Sequence, residues 1–121
     1  VTKTTSAGSV TLRLKRAEIQ VRQVLGPILK DAGITFEQWQ VVAALHHEPG
    51  LRMTQLAERA VLPAASLTRH VDKLVELALV IRRVDAGDKR RAVAALSARG
   101  AALAERLTTA EAGAGQLPEI G

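Results

Sequence analysis

The sequence predicts a mainly α-helical fold with one small β-hairpin. Three observations carry that expectation. Aromatic residues make up only 2% of the chain while hydrophobic residues reach 47%, so the core must be built from Leu, Val, Ile and Ala, a mix that favours helices. Apolar residues recur at helical spacing through most of the chain. Near residue 87, two short β-rich runs bracket a tight turn within "RVDAGDKRRAVAALS", residues 83–97.

A length of 121 residues suits one domain with its own core, so residues 1–121 are read as a single unit. No apolar run approaches the 18 or so residues that a membrane span needs. The N-terminus is polar before any apolar stretch, so no secretory signal is visible. The first residue is Val1 rather than Met, and an upstream piece is expected. Without cysteine there is no disulfide framework, no thiolate metal site and no thiol redox sensor. These features fit an intracellular, cytoplasmic protein that makes no membrane contact.

The first element is a helix over residues 10–33, with Leu14, Val21, Leu25, Ile28 and Leu29 at helical spacing. Pro27 removes a backbone donor within it, which predicts a kink or break between Val24 and Pro27. Gly33 is a suitable stop. A second helix follows in "ITFEQWQVVAALHHEPG", where Thr35 and Gln38 have the spacing of a capping box. Its inner face is Trp39, Val42, Ala43 and His46, with Leu45 beside them, and Pro49-Gly50 ends it. The run His46-His47-Glu48 invites a metal reading, but adjacent helical residues do not converge, so no metal is expected there.

"LRMTQLAERAVLPAASLTRHVDKLVELALV" reads as two short helices around a turn. The first covers about 53–60 and buries Leu56, Ala57 and Ala60. Val61-Leu62 form the turn. Pro63 sits in the first turn of the next helix, where a missing N–H costs nothing. That helix buries Leu67, Val71, Leu74 and Ala78. Its other face shows Ala65, Thr68, Arg69 and Asp72, and the three-residue spacing of Arg69 and Asp72 allows a pair. The hairpin covers about 79–84 and 91–96. Ser97 then caps a last helix over about 98–112, anchored by Leu103 and Leu107.

Charge is unevenly placed along this framework. Residues 1–30 carry a net +5 and residues 79–100 a net +4, while 31–78 and 101–121 each carry −2. Two basic blocks around an acidic middle suggest two contacts with a polyanion. The hairpin tip alone gathers Arg83, Lys89, Arg90 and Arg91 around Asp85 and Asp88. A turn needs a Gly and an Asp, not a cluster of mutually repelling arginines.

A helix–turn–helix lays its second helix in the DNA major groove, so that helix needs an outer face that is small, polar and able to donate. Residues 63–72 supply one. Ala64 and Ala65 leave room for close approach, while Ser66, Thr68 and Arg69 can reach bases or phosphates. A basic hairpin directly afterwards is the wing of a winged helix, whose tip can enter a narrow, strongly negative minor groove. Asp88, two residues before Arg90, can hold that guanidinium in a fixed pose. The anion that the tip meets is therefore read as DNA.

Two stretches and their spacing, "GITFEQWQVVAAL" and "LTRHVDKLVELALVIRRVDAGDKRRAVAALSARG", resemble the MarR family of winged-helix repressors from about Gly33 to Leu107, most specifically in the Asp88-Lys89-Arg90 motif eight residues ahead of the Leu96-Ser97-x-x-Gly100 step. The resemblance implies a winged helix–turn–helix core over 34–96, flanked by N-terminal (10–33) and C-terminal (97–112) dimerisation helices. It implies DNA contacts by Arg69 and Arg90, support of Arg90 by Asp88, and lesser roles for Thr68 and Ser66. The basic residues Lys73, Arg83, Lys89 and Arg91 complete the candidate DNA-binding set. The implied function is a double-stranded-DNA-binding transcriptional regulator, a repressor on a pseudo-palindromic operator. A homodimer held by Leu14, Val21, Leu25 and Ile28 with Leu103 and Leu107 follows.

The resemblance also implies release by a small aromatic ligand, in a region lined by Leu25, Leu29, Trp39 and His46. The sequence departs from the family pattern at Val61 and Ala78, where Gly is common, and at Pro63, where Asp or Ser usually caps. Relatives usually continue into another long helix, so the C-terminal helix is expected to be truncated and the dimer weak.

Other classes fit less well. An enzyme lacks a constellation: Ser66 and His70 are four apart, but Asp72 points elsewhere, no oxyanion site is offered and no phosphate-binding Gly loop exists. No catalytic residue and no cofactor are expected. An RNA-binding module lacks aromatics for base stacking. The alternative kept is a winged-helix protein-interaction module that does not bind DNA.

Overall fold

The computed structural model describes residues 8–85 and 87–113; the side chains of Asp85 and of residues 88–91 lie outside that description. Five helices and three short strands follow in the order α1 (Val10–Ala32), α2 (Phe36–His47), β1 (Leu51–Arg52), α3 (Met53–Ala60), α4 (Ala64–Glu76), β2 (Val80–Asp85), β3 (Asp88–Leu96) and α5 (Ala98–Gly113). The fold is mainly helical with a small antiparallel sheet, a winged helix–turn–helix with a helix on either side.

Each helix end has a local cause. Ser9 accepts from the Leu12 N–H at 3.2 Å to start α1, and Gly33, at φ 75°, closes it. Thr35 and Gln38 form the expected capping box, with reciprocal bonds of 3.1 and 2.9 Å. Pro27 does not break α1, which runs as one helix from Val10 to Ala32. Pro27 and Gln23, whose carbonyl loses its partner, both lie on the exposed side, so water can satisfy the orphaned oxygen.

One core joins all five helices to the sheet. Leu25, Val41, Val42, Leu45, Leu56, Val71, Leu74 and Leu107 are almost fully buried. Helix α2 sits at its centre and buries more of its circumference than a single stripe, since Val41 and Ala44 join Trp39, Val42 and Leu45. Ala43 and His46, expected on the inner face, are only partly covered.

The sheet order is β1-β3-β2, both pairs antiparallel. Strand β1 was not expected, because two residues are too few to show a period. It covers the second edge of β3, with Leu51 opposite Ala94. The hairpin also runs further than expected. Its strands continue to Asp85 opposite Asp88, with a register irregularity between Arg83 and Asp85. The basic stretch 88–91 therefore lies within β3 rather than in a broad turn.

Two turns are strained. Val61 (φ 58°) and Ala78 (φ 62°) are the non-glycine residues with left-handed backbone among those described. Each closes a helix: Leu62 N–H returns to the Ala57 carbonyl, and Leu79 N–H to the Leu74 carbonyl. This corrects the placement of Ala78, which lies beyond α4 and is exposed rather than part of its buried face. A left-handed β-branched residue is costly. Val61→Gly is therefore expected to raise stability by about 1 kcal/mol net of glycine's greater unfolded-state entropy. A higher urea midpoint at unchanged m-value checks it.

Candidate nucleic-acid interface

Helix α4 presents a polar face because its apolar residues fall on one side. Leu67, Val71 and Leu74 are buried, and Ala65, Thr68, Arg69, Asp72 and Lys73 are exposed opposite them. Thirteen residues give a rod of roughly 20 Å. The turn that aims it is held from behind: Gln40 of α2 donates to the Ala60 carbonyl at 2.9 Å. Pro63 occupies the N-cap position rather than the first helical turn, and provides no side-chain cap. Ser66 Oγ donates to the Pro63 carbonyl at 3.2 Å. Ser66 is thus partly engaged in the turn, and Ala64 and Ala65 leave the helix entrance open.

The expected Arg69–Asp72 pair does not form. Asp72 instead receives the Arg82 guanidinium from β2. Arg69 has no ion-pair partner among the described residues, so it keeps all its donors for an external anion. Lys73 rests on Glu76 at 3.3 Å, an exposed contact that water and salt weaken. Arg83 is exposed on β2. The side chains of Asp88, Lys89, Arg90 and Arg91, and with them the proposed Asp88–Arg90 support, lie outside the described residues.

The wing joins the body through a tightly built step. The Ser97 hydroxyl donates to the Ala78 carbonyl at 2.6 Å and accepts from the Gly100 N–H at 3.0 Å, capping α5 as expected. Ser97 N–H donates to the Leu79 carbonyl at 3.0 Å. That same oxygen lies 2.0 Å from where a Cβ on Gly100 would sit.

The four ligand-region residues are placed differently from one another. Leu25, Leu29 and Trp39 belong to the packed core. Trp39 donates its indole N–H to Glu111, whose carboxyl is pushed above its usual pKa by burial and drawn partly back by that bond. His46 is one-third exposed and stands 3.6 Å from Glu105 of α5.

The dimer clamp expected from Leu25, Leu103 and Leu107 also needs correction. All three are buried within the single chain, because α1 and α5 pack against each other and α2. Their stripe is used internally.

This arrangement has known counterparts. The family model described as MarR family matches residues 32–91. The homoprotocatechuate degradative operon repressor of Escherichia coli is 31% identical over 101 residues, 84% of this chain and 68% of that one. The chain belongs to the MarR family. It is accordingly a winged-helix transcriptional regulator and not an enzyme. Among solved MarR-like structures, NadR in complex with 4-hydroxyphenylacetate superposes with a TM-score of 0.75 at 27% identity, covering 93% of this chain and 80% of that one. The MepR–DNA complex of S. aureus superposes with a TM-score of 0.68 at 25% identity, covering 89% and 87%. No helix among the described residues of this MarR-family chain is long and apolar enough to cross a membrane.

The backbone gives a physical reason why glycine would suit the two turns: Val61 and Ala78 both have the left-handed conformation that glycine adopts without strain.

Proposed function

We propose that this MarR-family chain represses transcription by binding double-stranded DNA as a homodimer on a pseudo-palindromic operator. One observation carries the reading. The exposed face of α4, with Thr68, Arg69 and Lys73, adjoins a basic hairpin that springs from the end of the same helix. Such a pair can address a major groove and the next minor groove together. The solved MepR–DNA complex supports it, as does the repressor name of the Escherichia coli relative. Ser66, Arg83, Asp88, Lys89, Arg90 and Arg91 belong to the proposed contact set.

The dimer reading rests on apolar surface that the chain leaves uncovered. Val10, Leu14 and Val24 are exposed along α1, beside an open groove of about 540 Å³ lined in part by Leu14, Ala17, Val21 and Phe36. A two-fold partner would cover them and set two recognition helices about one helical turn of DNA apart. A small aromatic ligand is proposed to act near Leu25, Leu29, Trp39 and His46. NadR, solved with 4-hydroxyphenylacetate, is the supporting relative. The buried state of the first three means that such a ligand must displace packed side chains.

Selection of binding sites from random duplexes tests the reading. The expected result is enrichment of one sequence with half-site symmetry and affinity that falls with salt. No enrichment at any salt concentration would favour the protein-interaction module instead. On the selected duplex, Arg90→Ala should weaken binding and lower the salt slope by about one unit. Asp88→Ala should also weaken it, although charge counting predicts the opposite. Tighter binding by Asp88→Ala would contradict support of Arg90 by Asp88.

A further inference from the structure

Strand β2 alternates in the ordinary way, so Val80 and Arg82 share the face toward the body while Ile81 and Arg83 face away. Val80 is buried, and every described side chain from Ile81 to Val84 is exposed. Strand β3 stays packed as far as Ala94, the buried residue opposite Arg82, and pairs with β1 at Ala94 and Val93, so the hairpin leaves the body at the level of Arg82 and Arg83. On the β2 side of that exit, Arg82 ties the wing to helix α4 through its contact with Asp72. Asp72 lies on the outward face of α4, one turn from Thr68 and Arg69. The tie therefore links the wing to the very face proposed to read bases.

We propose that Asp72 and Arg82 form a brace that sets the angle between wing and recognition helix, and that preference for an operator depends on it. The inference rests on the DNA-binding reading above. It assigns both residues a positioning role, with Arg82 engaged inside the chain while its neighbour Arg83 stays in the proposed DNA-contact set. The lever arm shows why a modest contact matters. From Arg82 to the tip is three to four residues, roughly 10–13 Å. A swing of about 10° at Arg82 moves the tip by roughly 2 Å, more than the tolerance of a hydrogen bond. Contacts by α4 and by the wing must be made together on one stretch of duplex, so a loosened wing loses register on a specific site. Random DNA, bound through summed charge, tolerates the same freedom.

The brace makes a prediction of unusual sign. Asp72 is a carboxylate on a surface that would face phosphates, so charge counting predicts that Asp72→Ala tightens binding to any duplex. The brace predicts weaker binding to a duplex recovered by selection, by up to about fivefold for a surface pair of this kind, with random-duplex binding unchanged or tighter. Adding Arg82→Ala to Asp72→Ala should cost no further preference, and Asp72→Glu should restore it.

Amide hydrogen exchange of the β2–β3 hairpin in the free protein provides an arm that needs no DNA. Asp72→Ala should speed exchange there by up to about fivefold and leave the α2 core amides unchanged. Unchanged hairpin exchange, or an unchanged ratio of selected to random binding, would overturn the brace. A further loss on adding Arg82→Ala, equal on both duplexes, would overturn the positioning role of Arg82 and assign it to phosphate contact instead. A wild-type chain with no preference for any duplex would overturn the DNA reading and the specificity half of this proposal, while hairpin exchange still decides the brace itself.

Discussion

Gly100→Ala is expected to cost about 3 kcal/mol of stability or more, the upper range for forcing an extra group into a packed interior. The added methyl would stand 2.0 Å from the Leu79 carbonyl oxygen. That obstacle is backbone, not the end of a flexible side chain, so it cannot swing aside. The oxygen is also fixed by the Ser97 N–H at 3.0 Å, and Ser97 holds both Ala78 and Gly100. Relief would require α5 to lift from the base of the wing. Urea unfolding followed by circular dichroism should show a large fall in midpoint. A loss under about 1 kcal/mol would mean that α5 does not approach Leu79 as described.

Leu25→Asp should severely destabilise the fold, whereas Leu14→Asp should leave a folded chain with weakened self-association. From spacing alone the two leucines look equivalent, one stripe on one helix. The structure separates them: Leu25 is 0% exposed and Leu14 is 45% exposed. A carboxylate at Leu25 would be buried without a partner, a defect of about 3–5 kcal/mol or more. That is a large part of the roughly 5–15 kcal/mol that holds a domain together. At Leu14 the same change meets water and costs little in the single chain. Circular dichroism with sedimentation equilibrium distinguishes the outcomes. A folded, monomeric Leu25→Asp variant would contradict the core described here.

The contrast shows how far the sequence could be read. Helix positions, the Thr35 capping box, the Ser97 cap and the polar face of α4 were legible, because each depends on local spacing. Strand β1 was not, since two residues carry no period and form a strand only by pairing with β3. The extension of β3 through residues 88–91 was hidden by consecutive charges that mask the alternation. The partner of Asp72 was misread for a related reason. Local geometry offers Arg69, three residues away, but Arg82 arrives from the hairpin through tertiary packing. The internal use of Leu25, Leu103 and Leu107 was likewise invisible, because an apolar stripe records that it is covered and not by what.

The central claim is that the exposed face of α4 reads DNA, and Arg69 carries it most directly. The decisive measurement is a fluorescence-anisotropy titration of Arg69→Ala and wild type on a selected duplex, on single-base variants of it and on random duplex. The predicted result is a loss of about 1–3 kcal/mol on the selected duplex, confined to one base position, with little change on random DNA. The fold should be intact, since Arg69 projects away from Leu67, Val71 and Leu74. Equal affinity of the variant and wild type on every duplex would contradict the account.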